Sequence, residues 1–150
     1  MAGALSLLMV GCAFIGVIGI GIYKAVAADP PPPIAWCDAG KNACQKECAA
    51  HAVTIVYFHA SWCPACQRME ATTFADPEVR ERMTKYGAIV YDIEVSKAAA
   101  ERAGLHAIPT FIALRGCDRE IMRVTGGMNR DTFLGWLDGL DKIVDAQDAQ

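Results

Sequence analysis

Apolar residues along this chain follow three different patterns. The first is unbroken: from Ala2 to Tyr23 no charged residue occurs, and most positions are Leu, Ile, Val, Met, Phe, Ala or Gly. Coiled as a helix, the run would be about 33 Å long, enough to cross a hydrocarbon core of about 30 Å. Asp29-Pro30-Pro31-Pro32-Pro33 then breaks any helix and makes a stiff spacer. We therefore expect a transmembrane anchor or uncleaved signal over 1–23 and a Pro-rich linker over 24–40. A signal cut after Ala25-Val26-Ala27 and a lipoprotein signal ending at Cys12 are alternatives. The run is long for either, no Lys or Arg precedes it, and it stays apolar past Cys12, which favours the anchor.

The second and third patterns share the rest of the chain. Thr54–His59 is rich in β-branched and aromatic residues, and 88–95 alternates, so both read as strands. Thr110–Leu114 and Glu120–Thr125 read as two more, around the turn Arg115-Gly116-Cys117-Asp118-Arg119. Helices are expected over 42–51, from Cys63 to about Thr72, over 77–86 behind an Asp76 cap, and over 97–103 before Gly104. In 129–144, Phe133, Leu134, Leu137, Leu140 and Val144 recur at helical spacing. The order is β-α-β-α-β-β-α, an α/β sheet with helices on its faces. It predicts one domain over 41–145 and a frayed polar tail over 146–150. The net charge of −3 and the lack of a basic cluster give no reason to expect a nucleic-acid partner.

The strongest chemical signal is Trp62-Cys63-Pro64-Ala65-Cys66. Two cysteines three apart can close and reopen a small disulfide ring. They fall at a strand-to-helix junction, with Cys63 near the N-cap and Pro64 at the first helical position, where a missing N–H costs nothing. Unpaired N–H groups and the helix dipole favour a thiolate on Cys63, and the thiolate is the species that attacks disulfides.

These residues, with Gly104-Leu105-His106-Ala107-Ile108-Pro109-Thr110, resemble thioredoxin-fold proteins over roughly residues 42–144. The resemblance implies a central mixed sheet flanked by helices. It also implies a cis Pro109 packed against the active-site disulfide and an Ile108 backbone that pairs with extended substrate. Ile108, Thr110 and Trp62 become candidate substrate-binding residues, and Cys63, Cys66 and Pro109 catalytic ones. Three segments, 58–63, Thr73-Phe74-Ala75-Asp76-Pro77-Glu78-Val79 and Val124-Thr125-Gly126-Gly127-Met128, are similar to the C-terminal thioredoxin-like domain of the interchange protein DsbD. That subfamily faces the periplasm and passes electrons by thiol-disulfide exchange. The multi-span part of DsbD has no counterpart in these residues, so a separate redox partner must regenerate the active form. The implied location is a bacterial inner membrane, single-pass through residues 2–23, with the domain in the periplasm. Seven cysteines agree with an oxidising compartment, although Lys24 alone weakly favours the opposite orientation.

The expected activity is a membrane-anchored thiol-disulfide oxidoreductase that needs no cofactor, exchanges with protein thiols and disulfides, and acts as a reductase more than as an oxidase or isomerase. A non-enzymatic thioredoxin scaffold for metal binding or assembly is the competing class. Glu70, four residues after Cys66 and seven after Cys63, shares their helix face, where a carboxylate would raise a thiolate's pKa. The DsbD-like domain has a glutamate there. Where the family has a buried aspartate, six residues before the first cysteine, this chain has Tyr57. His59 is a candidate substitute proton acceptor or a plain strand-end residue, and His106 a candidate substrate contact.

Cys37, Cys44, Cys48 and Cys117 lie outside the family pattern. Cys37 with Cys44 or Cys48 is the preferred structural disulfide, because a Cys44–Cys48 bridge would strain a helix. Cys37, Cys44, Cys48 and His51 would make a Cys₃His zinc set, but at no common zinc spacing. A second redox pair relaying to Cys63–Cys66 is a third reading. Cys117 reads as a free thiol at a hairpin turn, and Cys12 as a small apolar residue.

Overall fold

Side chains of a strand point alternately to its two sides, and β2 (Val53–His59) shows this cleanly. Val53, Ile55 and Tyr57 enter one apolar cluster. Val56 and Phe58 enter another on the opposite face. A strand buried on both faces must be central, and β2 is flanked by β3 (Gly87–Asp92), parallel, and β4 (Thr110–Arg115), antiparallel. These relations come from a computed structural model, which describes residues 30–149. The expected anchor over 1–23 lies outside them. Among the described residues no helix is long and apolar enough to cross a membrane.

The five-stranded sheet has the order β1-β3-β2-β4-β5, with β1 at Cys37–Asp38 and β5 at Arg119–Thr125. β1 pairs in parallel with β3, Cys37 opposite Ile89. It corrects the expectation that 24–40 is only a linker: Ile34 and Trp36 also pack on the core, so the folded body begins before residue 41. Two residues of strand carry no readable alternation, and only the sheet edge makes them one.

The helices are α1 (Gln45–Ala50), α2 (Pro64–Ala71), α3 (Pro77–Met83), α4 (Lys97–Arg102) and α5 (Arg130–Asp148). The break after α2 has the cause expected from sequence. The Asp76 carboxylate accepts from the amides of Glu78 and Val79, with Pro77 opening α3. The tail is a second correction. α5 continues to Asp148, and Arg115 pairs with the Asp148 carboxylate and the Val144 carbonyl, which holds the last turn to the sheet.

Candidate active site

The last residues of β2 and the first of α2 build the site. Cys63 is the N-cap of α2, Pro64 follows it, and the Cys66 amide donates to the Cys63 Sγ at 3.2 Å. The same amide would face the sulfur as a thiolate, so the local backbone favours negative charge there. Cys63 and Cys66 are joined in a disulfide, with Cα atoms 5.3 Å apart. Cys66 is fully buried and Cys63 nearly so. Access to the pair is therefore decided by the loops around it.

Two loops frame it. The Ile108–Pro109 peptide is cis, and half-buried Ile108 packs against the cluster that holds both cysteines. The Pro109 carbonyl accepts from Gly126, whose φ of +111° suits glycine. Next to it, a Cβ on Gly127 would lie 3.4 Å from that of Ala65, inside the active-site motif. The Thr73 hydroxyl donates to the Met128 carbonyl, which ties this loop to the end of α2. The Thr-Phe-x-Asp-Pro break thus anchors the loop facing the disulfide.

The structure sorts the expected site residues. Trp62 is 60% exposed, and its indole N–H donates to Glu94 at 3.2 Å. Val95, beside Glu94, is the other exposed large apolar residue among those described. Thr110 is different. It is buried, and its hydroxyl is shared between the Ala107 carbonyl and the Thr125 hydroxyl, so its side chain is engaged within the protein. His106 is exposed beside the cis-proline loop.

Glu70 is not where helix spacing alone puts it. Its Oε1 accepts from the Tyr57 hydroxyl at 3.1 Å and lies 3.1 Å from His59 Nδ1. The carboxylate leans onto the strand instead of standing free against a thiolate. Tyr57 stacks on Phe111 and on His59, and burial, then the charge of Glu70, raise its pKa, so the hydroxyl stays a donor. A Tyr57–Glu70–His59 cluster thus forms between β2 and α2, with Tyr57 at the position where the resemblance implies an aspartate and the carboxylate coming from α2. Sequence reasoning saw each residue but not the cluster, because nothing in the spacing says how far the Tyr57 ring reaches.

Of the surplus cysteines, Cys37 and Cys44 form a disulfide with Cα atoms 5.9 Å apart, one of the two pairings preferred from sequence. Cys48 and Cys117 are free thiols. The Cys₃His zinc set is not assembled: two of its sulfurs are bonded to each other, and His51 Nδ1 is held by the Glu47 carbonyl at 3.0 Å. Among the described residues no group of three or more His, Cys, Asp or Glu could hold a metal ion.

A disulfide whose first sulfur caps a helix is built for exchange with other thiols, and comparison with known proteins leads to the same class, the thiol-disulfide oxidoreductases. The family model described as Thioredoxin-like domain matches residues 42–140, and the chain belongs to that family. It is 31% identical over 96 residues to the thiol:disulfide interchange protein DsbD of Haemophilus influenzae strain 86-028NP, a match covering 60% of this chain and 17% of that protein. DsbD of Tatumella citrea is 32% identical over 91 residues, covering 57% and 16%. The chain thus spans about a sixth of the length of these relatives. Among solved structures, a Thermus thermophilus thioredoxin aligns with a TM-score of 0.61 at 23% identity, over 73% of this chain and 88% of that one. Oxidised Plasmodium falciparum thioredoxin aligns with a TM-score of 0.58 at 18% identity, over 70% and 97%. These two likenesses show the fold.

Proposed function

We propose that this protein reduces disulfides of extracytoplasmic partner proteins through a Cys63–Cys66 dithiol/disulfide cycle, and that residues 2–23 hold it in a bacterial inner membrane with the domain in the periplasm. The carrying observation is the Cys63 sulfur at the N-cap of α2, receiving the Cys66 amide. In the reduced protein, Cys63 thiolate attacks a partner disulfide and forms a mixed disulfide. Cys66 then attacks Cys63, the partner leaves with both electrons, and the Cys63–Cys66 disulfide remains. A separate redox partner returns the two electrons.

Trp62, Val95 and the Ile108 backbone make the docking edge, and Pro109 shapes it. Thr110 acts from beneath, holding the cis-proline loop through its two hydroxyl contacts. The Tyr57–Glu70–His59 cluster is a positioning and proton-accepting group behind the disulfide. The periplasmic placement is supported by the DsbD relatives, by the apolar run and by the Cys37–Cys44 disulfide, a bond suited to an oxidising compartment.

An insulin-reduction assay tests the activity, with Cys63→Ser as control. Turnover that survives Cys63→Ser would remove the proposal. The reduction potential of the pair tests the direction: a value near about −270 mV marks a reductase, and one near about −120 mV an oxidant.

A further inference from the structure

The sheet face away from Cys63–Cys66 holds the two thiols that the exchange cycle does not use. α1 carries Cys48, which is buried, and the turn between β4 and β5 carries Cys117, which is exposed. Chain geometry brings them to one end of the sheet. Arg115, ending β4, lies opposite Val53, starting β2, and the Gly116 amide donates to the Ala52 carbonyl at 3.4 Å. That contact folds the turn back beside the end of α1. Gly116 allows it with a φ of +65°. Cys48 and Cys117 both open on one cavity of about 640 Å³, lined also by Cys44, Phe58, Ile112 and Arg102. Burial, then the Cys117 thiol, pushes the pKa of Cys48 up to about 11.

We propose that Cys48 and Cys117 are a second dithiol, separate from Cys63–Cys66, which a small-molecule disulfide converts to an intramolecular bond. Cys117 is the exposed partner and reacts first. Its thiolate attacks one sulfur of the oxidant, a Cys117 mixed disulfide forms, and one small thiol leaves. The Cys48 sulfur then attacks Cys117 and the second small thiol leaves. The two protons of Cys48 and Cys117 end on the two released thiols, and two electrons pass to the oxidant. Cys44, one turn before Cys48, is already bonded to Cys37, which leaves Cys117 as the partner of Cys48 among the described residues. The new bond would staple the β4–β5 turn to α1 across the cavity mouth.

The full-length protein in detergent is incubated with glutathione disulfide, blocked with N-ethylmaleimide, and mapped by mass spectrometry after trypsin and chymotrypsin cleavage. Cutting after Tyr57 or Phe58 separates Cys48 from Cys63. The expected product is a Cys48 peptide linked to the peptide 116–119. The same link should form in Cys63→Ser/Cys66→Ser protein, and Cys48 should stay blockable by maleimide in Cys117→Ser protein. The proposal is overturned if Cys117 ends only as a glutathione adduct beside a free Cys48. It is also overturned if Cys48 pairs with Cys37 or Cys44, or if the link needs the Cys63–Cys66 pair.

Discussion

On one face of the sheet, α2, α3 and α5 press together a cluster of nineteen buried residues around Ile55, Tyr57 and Phe111. On the other, the six-residue helices α1 and α4 cover a cluster of only six and leave a cavity of about 640 Å³. The same strands serve both faces, so the difference lies in what covers them. The crowded face holds the exchanging disulfide, whose sulfur, cap amide and cis-proline loop must keep their geometry to within fractions of an ångström. Its aromatic rings interlock, with Phe111 against Tyr57, Phe74, Phe133 and Trp136. The looser face holds thiols and a disulfide on short elements. A protein can thus carry two kinds of sulfur chemistry on one sheet by packing one side more densely than the other.

The largest effect should separate the faces by activity. Cys63→Ser should cut disulfide reduction at least about 10³-fold, as removal of a nucleophile does, whereas Cys48→Ser should leave the rate unchanged. Steady-state insulin reduction measures both, and a large loss in Cys48→Ser would erase the distinction.

The packing contrast comes next. Ile55→Ala, on the crowded face, should cost about 4 kcal/mol, because its surroundings cannot collapse. Ile112→Ala, beside the existing cavity, should cost about 2 kcal/mol, since its neighbours can relax into open space. Urea unfolding of the two variants gives the comparison, and equal costs would mean that the two faces are equally rigid.

A smaller effect concerns the Tyr57–Glu70 hydrogen bond behind the disulfide. A double-mutant cycle with Tyr57→Phe and Glu70→Gln should show a coupling of about 1 kcal/mol. A coupling indistinguishable from zero would return Glu70 to the free helix face that its spacing suggested.

The smallest is a pH effect from the loose face. The Cys48 pKa rises from an ordinary 9.0 to about 11 in the folded state, so the folded protein keeps its proton where the unfolded chain has lost it. Stability from this group is complete below pH 9 and is lost as pH rises through about 11. Raised pKa values at Tyr57 and Tyr86 act in the same direction. Cys48→Ala should therefore flatten, without abolishing, the fall in melting temperature above pH 9. An unchanged slope would place the Cys48 thiol in contact with water.

Most of the fold was legible because its signals are local. β2 and β4 announce themselves by β-branched and aromatic runs, α3 by Asp76-Pro77, and α5 by Phe133, Leu134, Leu137 and Leu140 at helical spacing. Cys63, Cys66 and Pro109 could be named as candidate site residues because the exchange motif and the Ile-Pro-Thr segment are contiguous in the chain. β1 escaped because two residues have no period, and the Thr110–Thr125 hydroxyl contact was not legible because its partner lies 15 residues away.

The order of residues alone thus determined the alternation that buries the central strands on both faces, the helix that starts at Cys63, and the class of chemistry that a cysteine in that place performs. Only the folded structure decided which sulfurs pair, that Glu70 turns to Tyr57 and His59, and that Cys48 and Cys117 line one cavity. Each of those outcomes closes a gap between distant segments. Spacing along a chain sets which way a side chain leaves its own backbone, while its final neighbour depends on how far every intervening element has been carried in space.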